Sequence, residues 1–196
     1  MAQQGQDRRS QRTQQALMDA LISLLTVKHY DAISIQDIVD QANVGRSTFY
    51  AHFQTKDDLL MMGFRRVLES LLQHIVLSEV DQNIKLETTM LFSHAQGHYE
   101  LYRTLAWGSS QELLTKEGHT ALSILLQDRL TQLLSEKDES SVPLSVLSNY
   151  LAGSLLILLK WWLDNKMPFS PGDMNEMVQK LIMPGVRTAL GFSNGE

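Results

Sequence analysis

Residues 34–56 read S-I-Q-D-I-V-D-Q-A-N-V-G-R-S-T-F-Y-A-H-F-Q-T-K, and this stretch decides the fold. Ser34 with Asp37 three residues on is an S-x-x-D capping box, which satisfies two free backbone N–H groups and starts a helix. Ile35, Ile38, Val39 and Ala42 recur at three- and four-residue spacing as one apolar stripe, leaving Gln36, Asp37 and Asp40 outside. At Asn43 the chain has to reverse. Asparagine tolerates the left-handed conformation better than most non-glycine residues, and Gly45 loosens the turn just beyond it. A second helix is expected from about Arg46, with Phe49 and Phe53 facing inward and Arg46, Ser47, Thr48, Tyr50 and His52 on or near the outward face.

A supporting helix, a tight turn and a second helix rich in exposed donors form a helix-turn-helix over about residues 34–53, the arrangement that places a recognition helix in the major groove of DNA. Arg46 offers a bidentate fork to guanine. Ser47 and Thr48 can hydrogen-bond base edges or touch a thymine methyl, while Tyr50 and His52 can reach phosphate oxygens. Thr55-Lys56-Asp57-Asp58 then opens another helix with a cap and a lysine in its first turn. A cation there opposes the helix dipole, and a bound phosphate would offset the penalty. The plainer reading of the same residues is a solvated helix face.

At these positions the chain resembles the TetR family of bacterial transcriptional regulators. The resemblance covers about Arg9 to Leu60, with N-V-G-R-S-T-F-Y-A-H-F followed by K-D-D-L-L as its most specific part. It implies an all-α protein: a three-helix DNA-binding head at residues 1–56 and, at 57–196, a helical-bundle body for effector binding and dimerisation. It further implies a homodimer that binds a double-stranded, palindromic operator and usually lets go when a small molecule enters the body. Carried over position by position, Arg46, Ser47 and Thr48 look like base contacts, Ser34, Tyr50, His52 and Lys56 like phosphate contacts, and Gln36 like a further candidate. Asn43 stands where the family commonly has glycine, and Gly45 where it often has a small hydroxyl residue or alanine.

The net charge of −5 suits a DNA binder only once it is divided along the chain. Residues 1–56 carry six cations against five carboxylates, about +1, so the remainder carries about −6 and the acidity belongs to the body. Binding must then come from a few placed cations. Arg8, Arg9 and Arg12 precede the first amphipathic stripe, formed by Ala16, Leu17, Ala20, Leu21, Leu24 and Leu25, and are either a frayed tail or further contacts to the DNA backbone or minor groove. With 43% hydrophobic residues the composition is that of a globular protein. No signal-peptide pattern opens the chain, and the longest uninterrupted apolar run, Leu155 to Leu159, is far short of the ~20 residues that span a bilayer. A cytoplasmic protein with no membrane contact is expected. The absence of cysteine excludes disulfides, thiol catalysis and cysteine-ligated zinc.

Beyond Lys56 one long helix is expected through Leu59, Leu60, Phe64, Val67, Leu68, Leu71, Leu72 and Ile75, joining head to body so that a shift at its far end swings the recognition helix. Further helices are expected near 85–96, 98–107, 111–135, 143–165 and 171–190, with no β pattern. The helix from Val142 to Leu163 is apolar on almost every side, and Gly153 and Ser154 would let another backbone approach. Together with 171–190 it is the expected dimer interface, with Trp161 and Trp162 facing opposite ways. Met90, His94, His98, Tyr102 and Trp107 mix polar tips with apolar bodies and are the candidate effector pocket, although such spacing is equally that of plain core. His94 and His98, four apart, lack a third ligand, so neither a metal nor a cofactor is expected. No glycine-rich phosphate loop, nucleophile elbow or H-E-x-x-H appears, which speaks against an enzyme. A coactivator of the same fold, working through a protein partner, stays open beside the DNA-binding regulator, and nothing in the residues sets repression against activation.

Overall fold

The computed structural model describes residues 2–80, 83–105, 110–134 and 140–191. Its helices are α1 (Ala2–Leu25), α2 (Ile35–Gln41), α3 (Arg46–Tyr50), α4 (Lys56–Leu72), α5 (Thr89–Gly97), α6 (Tyr99–Leu105), α7 (Ser110–Leu133), α8 (Leu144–Asp164), α9 (Pro171–Leu181) and α10 (Met183–Ala189). The fold is all-α apart from one antiparallel hairpin of β1 (Val76–Val80) and β2 (Asn83–Glu87). By spatial clustering the chain divides into two compact units, one of residues 1–67 with 100–114, the other of 68–99 with 115–196.

The first unit is built on α1 to α4. Leu17, Leu21 and Leu25 of α1 meet Ile38 and Val39 of α2, Phe49 of α3, Phe53, and Leu59 and Leu60 of α4 in one buried cluster. Leu101, Leu105 and Leu114 pack against it from α6 and the start of α7. Arg8, Arg9 and Arg12, open as tail or contact in the sequence, lie inside α1, which begins at Ala2.

In the second unit Phe92 and Trp162 meet edge to face, ring centroids 5.4 Å apart, and Leu126, Leu151, Leu155, Met174, Val178 and Val186 are buried. Trp162 is fully buried and its indole N–H donates to the Phe169 carbonyl at 2.9 Å, whereas Trp161 is 45% exposed and stacks on Phe169. The two tryptophans do face opposite ways. Within the chain a Cβ at Gly153 would meet the His119 ring, at an ordinary 3.7 Å.

Three expectations about helices are corrected. The long helix ends at Leu72, so Ile75 is buried beyond its end. Residues 76–80 and 83–87 pair as antiparallel strands, with Ile84 and Leu86 facing the core and Lys85 and Glu87 turned out, a period-2 alternation that was the available signal. Its outer edge is closed by side chains in place of a third strand: the Gln179 amide exchanges two hydrogen bonds with the Leu86 backbone, Asn175 accepts from Thr88, and Arg187 donates to the Ile84 carbonyl at 3.1 Å. Lastly, 171–190 is two helices broken at Ile182, where Pro184 removes a backbone donor.

Among the described helices α8 alone is long and apolar enough to cross a membrane, by length and composition, with a mean hydropathy of 1.4 over 18 residues. Counting uninterrupted apolar runs underrated it. Its Leu147, Leu151, Leu155 and Trp162 are buried within the unit.

Candidate nucleic-acid interface

The geometry of the first unit follows from its helix ends. Ser34 and Asp37 close the expected box: the Ser34 hydroxyl accepts from the Asp37 N–H at 3.1 Å, and the Asp37 carboxylate accepts from the Ser34 N–H at 2.8 Å. The Ser34 hydroxyl also donates to that carboxylate at 2.7 Å, and this bond first, then the one from the Ser34 N–H and the Lys28 ammonium 3.0 Å away, hold the Asp37 carboxyl well below the usual carboxylate range. At the other end of α2 the turn is a Schellman motif. Asn43 adopts φ 52°, the Val44 N–H donates to the Val39 carbonyl at 3.0 Å and the Asn43 N–H to Asp40 at 3.2 Å. Gly45 is the residue before α3 and is extended, φ −76°, so its place requires no glycine.

Phe49 is fully buried and Phe53 nearly so, and between them they anchor the short helix α3. Arg46, Ser47 and Tyr50 are exposed; Thr48 and His52 are half-buried. No side-chain hydrogen bond or ion pair within the described residues engages Arg46, Ser47, Tyr50 or His52, although the Tyr50 and His52 rings meet those of Phe49 and Phe53. An arginine, a hydroxyl and a phenol therefore stand out from one rigid face. Gln36 is also exposed, its amide held by Asp40 at 2.7 Å.

The start of α4 carries the expected cap, with the Lys56 side chain turned back onto the chain. Thr55 and Asp58 form a second reciprocal cap, and the Asp58 carboxylate accepts from the N–H groups of Thr55 at 2.8 Å and Gln54 at 3.1 Å. Those bonds lower the Asp58 pKa. The Lys56 ammonium turns back to donate to the carbonyls of Tyr30 and Ile33, at 2.8 and 2.9 Å, and lies 4.4 Å from the centre of the Tyr30 ring. Tyr30 is buried and its hydroxyl donates to Asp57; burial first, then that carboxylate, push its pKa up. Two of the three Lys56 donors thus bind the link between α1 and α2. Lys28 and Tyr30, which tie the same link down, were not singled out in the sequence, because nothing local pairs Tyr30 with residues 26 and 27 positions later.

The effector candidates lie in both units. His94 of α5 and His98 stack, ring centroids 4.3 Å apart and 26° between planes, and burial followed by the His98 charge lowers the His94 pKa. Met90 is 47% exposed. Tyr102 belongs to the first unit, its pKa pushed up to about 12 by burial, and Trp107 lies outside the described residues. Among the described residues no three metal-ligating side chains gather.

A buried scaffold presenting a short donor-rich helix beyond a tight turn is a helix-turn-helix DNA-binding head. Residues 17–61 match the family model described as "Bacterial regulatory proteins, tetR family", and residues 82–184 match one described as "Transcriptional regulator C-terminal region". The chain belongs to the TetR family of transcriptional regulators. It is 33% identical over 82 residues to the HTH-type transcriptional regulator YxbF of Bacillus subtilis (strain 168), a match covering 41% of this chain. Matched stretches span only 22% of the length of the curated relatives. Among solved structures, a TetR transcriptional regulator from Streptococcus agalactiae 2603V superposes with a TM-score of 0.60 at 25% identity, covering 92% of this chain and 98% of that one. The dihydroxyacetone kinase operon activator DhaS shares the fold, with a TM-score of 0.65 at 18% identity over 91% and 98% of the two chains. Proteins of this family bind DNA operators and dimerise.

Proposed function

We propose that this chain is a homodimeric operator-binding regulator, residues 1–56 forming the DNA-binding head and 57–196 the effector and dimerisation body, that represses by occupying its operator and leaves when a small molecule binds the body. The observation that carries the DNA reading is the α3 face, where Arg46, Ser47 and Tyr50 are exposed and unpaired on a helix fixed by buried Phe49. A guanidinium held out this way is placed to read guanine. Ser34, Gln36, Thr48 and His52 are the supporting contacts. Lys56 is assigned a different part: it braces the α1–α2 link so that Ser34 and α2 meet the backbone in register.

The dimer reading is supported by α8. Val146, Tyr150, Ile157 and Trp161 follow helical spacing and are 45–71% exposed, an apolar stripe of the kind that a second copy covers. We place the interface there and on α9, whose Leu181 is 67% exposed. The effector is sought at His94 and His98. A regulator of this kind works in the cytoplasm, where its operator is. The fold shared with a protein named as an operon activator keeps the second reading, a coactivator acting through a protein partner.

Fluorescence anisotropy on duplexes tiled across the DNA flanking the gene, at two salt concentrations with a scrambled control, tests the proposal. Tight, sequence-dependent binding by a dimer is expected. Arg46→Ala is expected to lose about 1–3 kcal/mol and to relax base preference at one position. Binding no better than to the scrambled duplex overturns the operator reading in favour of the partner-bound coactivator.

A further inference from the structure

In α1, Arg8, Gln11, Arg12 and Gln15 follow the i, i+3, i+4, i+7 spacing of a single helix face, and with Arg66 of α4 they line an open groove of about 570 Å³. Three guanidinium groups meet there in a chain of net charge −5. No ion pair within the described residues neutralises any of them. Arg8 and Arg12 are a like-charged i, i+4 pair, which weakens the helix that carries it. Gln15 steadies the groove: its carbonyl oxygen accepts from Arg66 Nη1 at 3.3 Å while its amide donates to Asp19 at 2.8 Å. Arg66 is thereby held on a neutral partner with the rest of its fork unused.

We propose that this groove binds a small phosphate-bearing anion of nucleotide size. Planar guanidinium forks match phosphate oxygens two at a time, which chloride cannot do, and a phosphate chain offers more than one such pair of oxygens to the three forks where a single carboxylate offers one. Three of them balance the charge of a diphosphate, and the Gln11 amide supplies a donor and an acceptor for its hydroxyls or ring edges. The volume falls in the range of about 300–1,000 Å³ typical of small-molecule sites. Operator phosphate is the competing occupant, which the variant below separates from a free anion; Arg66 lies ten residues along α4 from Lys56, about 15 Å at the α-helical rise. The inference stands independently of the DNA reading.

Isothermal titration of the full-length protein with pyrophosphate, ATP without magnesium, and adenosine tests it. Saturable binding of pyrophosphate and ATP at one site per chain is expected, with no adenosine binding, and with affinity falling at least tenfold between low and high salt. The Arg12→Gln/Arg66→Gln variant, checked for unchanged circular dichroism and melting, is expected to bind ATP at least tenfold more weakly and operator duplex within twofold of the parent. Non-saturating heats with pyrophosphate on the parent protein overturn the proposal, as does adenosine binding equal to that of ATP. So does a variant that keeps its ATP affinity but loses duplex binding, which would assign the three arginines to DNA.

Discussion

Replacing Lys56 by methionine keeps the length of the side chain and removes its charge and donors, and the consequence can be worked from the contacts. The parent ammonium donates to Tyr30 and Ile33 carbonyls at 2.8 and 2.9 Å and lies against the Tyr30 ring. A hydrogen bond from a charged donor contributes about 1.5–3 kcal/mol, and the half-buried setting lets water recover part of that, so two bonds at the low end give a loss of about 2–3 kcal/mol. For a chain of this size each kcal/mol lowers the melting temperature by about 2–4 °C, so the expected drop is about 4–12 °C. A lysine that only met a phosphate would behave otherwise. Its loss would leave the melting temperature alone and reduce the slope of log K against log salt by about 0.9. Thermal unfolding followed by circular dichroism, beside anisotropy at several salt concentrations, separates the two. An unchanged melt with a reduced slope would refute the bracing role.

The Asp37 carboxyl is held below its unfolded value of about 3.9, so it contributes stability that is complete above that pH and is lost as pH falls through the folded value. Asp37→Asn is therefore expected to flatten the fall in stability below about pH 5; acid limbs that superimpose would show that the cap and Lys28 do not set it. At the end of α8, Lys166 and Met167 have φ 59° and 56°, and the Lys166 N–H donates to Leu163 while that of Met167 donates to Trp162, a Schellman turn with lysine in the left-handed position. Lys166→Gly is expected to raise the urea midpoint by the equivalent of about 1 kcal/mol, and a lower midpoint counts against strain there. Ile157→Glu, on the exposed stripe of α8, is expected to weaken the dimer at least tenfold in sedimentation velocity while each chain stays folded; an unchanged dimer would move the interface elsewhere.

What the sequence determined by itself was whatever local spacing controls. The Ser34 box, the turn at Asn43, the inward Phe49 and Phe53 and the donors on α3 are all relations between residues a few positions apart, so the rules of helix starts, ends and faces were enough to place them. Asn43 was legible because few residues other than glycine adopt φ 52° cheaply. The hairpin was missed although Ile84-Lys85-Leu86-Glu87 alternates, because two strands of five residues are marginal alone. Here they are held by Gln179, Asn175 and Arg187, which are about a hundred positions away. The same limit applied to Lys56. Its place in the first turn of α4 suggested a phosphate, yet whether an ammonium points out to an anion or back to a carbonyl depends on which acceptors the folded chain brings within 3 Å, and those belong to residues 30 and 33. Likewise, of the nine arginines in the sequence, only the packing of α1 against α4 put Arg8, Arg12 and Arg66 around one groove. Periodicity fixes which face of an element is apolar; the partner of each polar group is set by long-range packing, where sequence distance carries no information.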